Sequence, residues 1–179
     1  MHNEHRRLKN MRRRGLTLVE AVLALLVMSV LATAALSAVA QARRTRAIVD
    51  QRSLGDMLAR TMLSEITALP YKASGSTTIG MEGGEDPADR RTFDDADDYH
   101  LFSESPCLQH DGKSIDGTDN WERSVIVAWV PVGSLTTTSG TDTGLKRVWV
   151  NIKHNGRLVT RLSALRAQAW DDALASGGL

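Results

Sequence analysis

Residues 16–40 form a continuous apolar run with one ionised side chain, Glu20. The run exceeds the roughly 20 residues that a membrane-spanning helix needs. From residue 16 to residue 54 there is no glycine or proline, so nothing in the backbone breaks a helix as the pattern changes character. Beyond the run, Leu54, Leu58, Met62, Ile66 and Leu69 recur at spacings of four and three, while Arg52, Asp56, Arg60 and Glu65 fall off that stripe. This is the periodicity of an amphipathic helix packed on a domain. One helix over residues 16–69 is therefore predicted, with Gly55 as its weak point. Fifty-four residues extend about 80 Å at roughly 1.5 Å per residue, so half of the helix must stand outside any bilayer.

The periodicity stops at Pro70. Residues 70–120 are rich in Gly, Ser, Thr and acid, including "GMEGGEDPADRRTFDDADDYH", and read as a solvated, partly mobile loop region. Strand patterns follow at 124–130 ("SVIVAWV"), 145–153 ("LKRVWVNIK") and 157–163 ("RLVTRLS"). The turn at His154, Asn155 and Gly156 admits two registers. A two-residue loop would pair Ile152 with Val159 and Val150 with Arg161, mixing the faces. A three-residue loop with Gly156 in the left-handed position pairs Ile152 with Leu158, Val150 with Thr160 and Val148 with Leu162. The three-residue loop gives one mostly apolar face and is the register expected, that face packing on the stripe of Leu54, Leu58, Met62 and Ile66. The chain thus reads as a basic leader (1–15), the spanning half of a helix (16–40), its amphipathic half (41–69), the acidic loop region (70–120), antiparallel strands (121–165) and a C-terminal tail (166–179). The fold class is α+β.

Charge adds a direction. The formal net charge is +1, but Arg6, Arg7, Lys9, Arg12, Arg13 and Arg14 against Glu4 make the first fifteen residues +5 and leave the remainder at −4. No aromatic side chain interleaves these cations, so they read as a topology signal and not as a nucleic-acid arm. The far flank of the run carries Arg43, Arg44, Arg46 and Arg52, fewer than the leader's six, which predicts a cytoplasmic N-terminus and an extracytoplasmic C-terminal domain. The single cysteine, Cys107, leaves the fold without an intramolecular disulfide.

The leader, Gly15, Leu16, Thr17 and Glu20 form a constellation with a chemical rationale. Cleavage after Gly15, where no side chain obstructs a protease at the membrane face, would free an α-amine on Leu16 one helical turn from Glu20. The stretch "RRRGLTLVEAVLALLV" resembles the N-terminal signal of type IV prepilin-like proteins, the pilins and pseudopilins. The resemblance implies a pilin-like fold, a long helix laid against a small antiparallel sheet. It implies cleavage between Gly15 and Leu16 by a prepilin peptidase, N-methylation of Leu16, and assembly through Glu20, whose carboxylate would neutralise the N-terminal amine of a neighbouring subunit. The partners implied are that peptidase, other pilin or pseudopilin subunits and an inner-membrane assembly platform. Leu16 stands where phenylalanine is commoner. The helix-breaking proline and glycine of many major pilins are absent from the run, and "LARTMLSEITALPY" with "KRVWVNIKHNGRLVTRLSALRA" looks like PilV-type minor pilins and the minor pseudopilin I of type II secretion.

Two other readings of the N-terminus stand beside this one. An ordinary signal anchor would let Glu20 reach back to the cytoplasmic interface, and a secretory signal peptide would be cut after Ala38-Val39-Ala40, although the run is longer than an h-region of roughly 7 to 15 residues. Either would make the chain an anchored or secreted binding module. Elsewhere, Asp94, Asp95, Asp97 and Asp98, or Asp111, Asp116 and Asp119, could supply oxygens to calcium, but neither cluster fits the D-x-[DN]-x-[DN]-G loop, and solvated acid is the reading. Cys107 and His110, with His100 nearby, have a zinc-like spacing without a convincing fourth ligand. No metal or cofactor is expected. The chain holds no G-x-S-x-G, Walker loop, dinucleotide fingerprint or H-E-x-x-H, and its five histidines have no nucleophile at recognisable spacing, so no enzyme is expected.

Overall fold

The computed structural model describes residues 17–177. The chain divides into two compact units, Met1–Ala47 and Ile48–Leu179. A single helix, α1 (Leu18–Ala68), supplies the regular structure of the first and the opening element of the second.

In the first unit α1 is long and apolar enough to cross a membrane. Its large side chains stand exposed, Leu18 at 81%, Leu25 at 70% and Leu36 at 71%, as lipid-facing residues must. The few hydroxyls within the run are satisfied by the helix itself. Ser29 donates to the Leu26 carbonyl at 2.8 Å, Thr33 to Val30 at 2.9 Å and Ser37 to Thr33 at 2.8 Å. A polar side chain bonded in this way adds no unmet donor to a hydrocarbon setting.

In the second unit the amphipathic half of α1 turns Leu58, Ala59, Met62 and Ile66 inward, all fully buried, with Leu54 and Leu69 packed at the margin. They meet a four-stranded antiparallel sheet in the order β1 (Ser103–Glu104), β2 (Trp121–Trp129), β3 (Leu145–His154), β4 (Arg157–Ala167). The inner face carries Trp121, Val125 and Val127 from β2 and Val148, Val150 and Ile152 from β3, spaced by two as a pleated strand requires. This is the expected pilin-like α+β arrangement, a long helix packed against an antiparallel sheet. Gly55, which would be a weak point in an exposed helix, is buried where α1 meets the sheet: a Cβ there would lie 3.1 Å from Val159 Cγ1 and 3.5 Å from Trp121 Cζ3. Its small size suits the close approach of Val159 and Trp121 and leaves no room for a large side chain.

The hairpin register differs from the three-residue expectation. His154 pairs with Arg157 across a two-residue Asn155-Gly156 turn, and a bulge between Ile152 and Lys153 then moves the pairing to Ile152 with Thr160, Val150 with Leu162 and Val148 with Ala164. Both turn residues have positive φ, 51° and 74°, the conformation that Asn-Gly favours in a hairpin. The turn chemistry therefore dictates the loop, and the bulge restores the apolar face that a plain two-residue register would have mixed.

The C-terminal end also differs. β4 continues to Ala167 and is followed by α2 (Gln168–Ala175), where the sequence reads as tail from residue 166. The reason is Arg166, which points into the core face, donates through Nε to the Leu69 carbonyl at 3.0 Å and pairs with Asp171 of α2. Residues 70–120 have little regular structure, a 3-10 turn at Arg90–Thr92 and β1, yet they pack. Phe93, Tyr99 and Phe102 form an edge-on aromatic cluster with centroids 4.9 to 6.0 Å apart, and Phe93 and Tyr99 belong to the core.

Candidate functional site

Of the residues expected to carry processing and assembly, Gly15 and Leu16 lie outside the described residues. Glu20 is described. It occupies the first turn of α1 and is exposed, so its carboxylate is sited where the helix's exposed amide dipoles favour negative charge. Thr17 precedes the helix, and its hydroxyl oxygen accepts from the Glu20 N–H at 3.2 Å, while its carbonyl accepts from Ala21 N–H at 3.0 Å. Thr17 thus caps the helix. Thr17-Leu18-Val19-Glu20 has the S/T-x-x-E spacing of a capping box, a signal that charge and hydropathy alone did not reveal.

Residues 10–36 match the family model for the prokaryotic N-terminal methylation motif. The match, with the long apolar helix and the sheet laid on its second half, supports a type IV prepilin-like protein anchored in the inner membrane. No curated protein and no solved structure matches the chain.

The acidic segment is built differently from the solvated loop expected of it. Asp95, Asp97 and Asp98 are fully buried. Their burial is possible because one cation, Lys146, reaches Asp97 from the core face of the sheet and because loop amides turn toward them. Lys146, two residues before Val148 on the same face of β3, pairs with Asp97 and also donates to the Tyr71 carbonyl. Asp98 Oδ2 accepts from the N–H groups of Asp94 and Asp95 at 2.9 and 3.0 Å, and Asp95 accepts from Asp97 N–H at 2.7 Å and from Ala73 N–H. Burial, and then the hydrogen bond with Asp95, push the Asp97 carboxyl up to about 8 against the pull of Lys146. Burial likewise lifts Asp98 to about 7.

A second polar network crosses the core. Glu104 of β1 takes Arg123 of β2 through Nε at 2.8 Å and through Nη2, and takes Arg90 Nη1 at 2.8 Å. Arg90 continues to Glu65 of α1 at 2.8 Å, and Tyr99 donates its hydroxyl to the same carboxylate at 2.7 Å. Two carboxylates and two guanidinium groups balance, and the Leu58 and Leu108 carbonyls accept from Arg123 Nη1 and Nη2 at 3.2 and 2.7 Å.

The zinc-like trio does not assemble. Cys107 is fully buried and its thiol is pushed up to about 11 by burial; His110 faces Glu65 at 3.0 Å; His100 Nδ1 accepts from Val127 N–H at 3.2 Å. Asp111 pairs with Lys113 at 2.8 Å, which holds its carboxyl below the ordinary value. Among the described residues, Asp111, Asp116 and Asp119 form no group close enough to share an ion, whereas Asp94, Asp95, Asp97 and Asp98 do so with two residues the sequence reading did not single out, Glu82 and Glu85.

Proposed function

We propose that the chain is a minor structural subunit of a type IV pilus or a type II secretion pseudopilus, cut by prepilin peptidase between Gly15 and Leu16, N-methylated on Leu16, and assembled through α1. The observation that carries the reading is the methylation-motif match at residues 10–36, laid over a leader of six cations and an apolar run, 16–40, whose one ionised side chain, Glu20, sits in the first turn of α1. The domain boundaries follow from it: residues 1–15 are removed, 16–40 span the inner membrane with the N-terminus cytoplasmic, and the rest stands outside the cytoplasm. A carboxylate in hydrocarbon costs up to roughly 2.5 to 3.5 kcal/mol, the value at mid-membrane, and pairing with the α-amine of a neighbouring Leu16 lowers that cost while fixing subunit register. The partners are the peptidase, other pilin or pseudopilin subunits and an inner-membrane assembly platform, and the role is structural, not catalytic.

Intact mass and the N-terminal fragment of the membrane-extracted protein test the processing step. A chain beginning at methylated Leu16 is expected. A mass that retains Arg12 to Arg14 in cells with active peptidase would make the helix an ordinary anchor, and a chain beginning at Gln41 would make it a secreted module.

A further inference from the structure

Among the described residues the loop carboxylates form three overlapping groups: Glu82, Glu85 and Asp98; Glu82, Asp95 and Asp97; and Asp94, Asp95 and Asp98. Within each group the oxygens lie within 4.8 Å of one another. Six carboxylates converge, and the cation paired with them among the described residues is Lys146, on Asp97. Four of their oxygens are buried without a hydrogen-bond partner: both of Glu82, Oδ2 of Asp97 and Oδ1 of Asp98. Asp97 and Asp98 are fully buried. A buried, unpartnered carboxylate oxygen is among the costliest groups a fold can hold, and several aimed at one another cost more.

The arrangement at Asp98 shows how the oxygens are sorted. Its Oδ2 is consumed by the amides of Asp94 and Asp95, which fixes the carboxylate and leaves Oδ1 buried without a partner. Glu85 is held similarly, its Oε2 accepting from Glu82 N–H at 2.6 Å. The loop thus holds one oxygen of each of two residues with its own backbone and leaves the Glu82 carboxylate, in the same group, without a hydrogen bond. We propose that Glu82, Glu85 and Asp98 bind a calcium ion, with Glu82 shared toward Asp97. Hard carboxylate oxygens exclude soft metals, and three or more carboxylates drawn to one point suit calcium, which takes roughly six to eight oxygen ligands in flexible geometry, better than magnesium, which keeps several waters and binds through about one or two carboxylates. The ion would pin residues 82–98 to the end of α1, because Asp95 accepts from Ala73 N–H and Ala96 N–H donates to the Pro70 carbonyl at 3.0 Å. This inference stands independently of the filament reading.

The test uses the full chain in a non-ionic detergent, stripped with EDTA and dialysed against radiolabelled CaCl₂. One calcium per chain should bind saturably. Thermal unfolding should shift upward by roughly 5 to 10 °C at about a hundred times the Kd, and an equal concentration of MgCl₂ should give much less. Glu82→Gln and Asp98→Asn should each weaken calcium binding at least about tenfold. Their metal-free forms should unfold at or above the wild-type temperature, since each variant removes one of several repelling charges, and a purely structural carboxylate would not behave so. Wild-type protein that binds no calcium saturably and unfolds identically in CaCl₂ and EDTA would overturn the proposal, leaving a cluster that shares protons. So would magnesium matching calcium, or both variants keeping wild-type affinity.

Discussion

Glu104→Leu should be the most damaging single substitution in the polar core, and the structure says by how much. The Glu104 side chain is 7% exposed and its two oxygens serve Arg123, Arg90 and the Leu108 N–H. Removing it leaves Arg123, fully buried, with only carbonyl acceptors, while Arg90 keeps Glu65. Stripping one partner from a buried pair costs about 3 to 5 kcal/mol, chiefly because the remaining charge is uncompensated. Arg123→Met should cost less, about 1 to 3 kcal/mol, because Glu104 retains Arg90 and the Leu108 amide. The double variant removes both charges together and, with a coupling energy of about 2 to 3 kcal/mol, should cost no more than Glu104→Leu alone and clearly less than the sum of the two single losses. For a unit of this size roughly 3 °C accompanies each kcal/mol, so Glu104→Leu should lower the unfolding temperature by about 10 °C or more. Trp121, 4% exposed and stacked on His154 at 4.6 Å, gives the fluorescence signal. If Glu104→Leu cost no more than an exposed ion pair, under about 1 kcal/mol, or if the double variant were worse than the sum of the singles, the network would not be holding β1, β2 and α1 together.

Two further substitutions probe the packing of α1 and the loop. Gly55→Leu should destabilise by about 1 to 3 kcal/mol through overpacking against Val159 and Trp121, whereas Gly55→Ala should lie near neutral, its helix-propensity gain of up to about 1 kcal/mol offset by the 3.1 Å contact with Val159 Cγ1; equal thermal shifts for the two would show that the interface has room. Cys107 should resist alkylation at pH 8 in the folded protein, because it is fully buried and burial holds its thiol at about 11, and should react on unfolding; labelling as rapid as in denaturant would mean that the loop around it opens freely.

The elements most legible in the sequence were those written in a single period. The stripe Leu54, Leu58, Met62, Ile66 identified both the helix and its buried face, and the alternation of Val148, Val150 and Ile152 identified the inner face of β3. What was not legible depended on contacts between segments distant in the chain. The acidic loop reads as solvated because each Asp is judged alone, and its burial depends on Lys146, which lies 49 residues beyond Asp97. A signal for this was present. Arg123, Lys146 and Arg166 fall in phase with Val125, Val148 and Ala164, so strict strand alternation places three cations on the apolar face, where each demands a buried acceptor. The hairpin register failed for a different reason: face matching was weighed over the preference of Asn155-Gly156 for a two-residue turn, and a bulge allowed both to be satisfied. At the N-terminus the lone Glu20 and Gly15 pointed to the methylation motif that residues 10–36 match, while the cap supplied by Thr17 went unread.

The central claim is that Glu20 serves assembly and not insertion, and one partition measures it. Glu20→Gln keeps size and polarity but removes the charge that would meet a neighbouring α-amine in a low-dielectric bundle of helices, where opposite charges attract far more strongly than in water. Sheared filaments and inner membranes are fractionated from cells expressing either form, and the processed subunit is quantified in each. The account predicts that Glu20→Gln is inserted and cut after Gly15 as the wild type is, accumulates in the membrane, and is depleted from filaments by about tenfold or more, the loss expected if pairing contributes at least roughly 1.4 kcal/mol. Glu20→Gln entering filaments in wild-type proportion would contradict it.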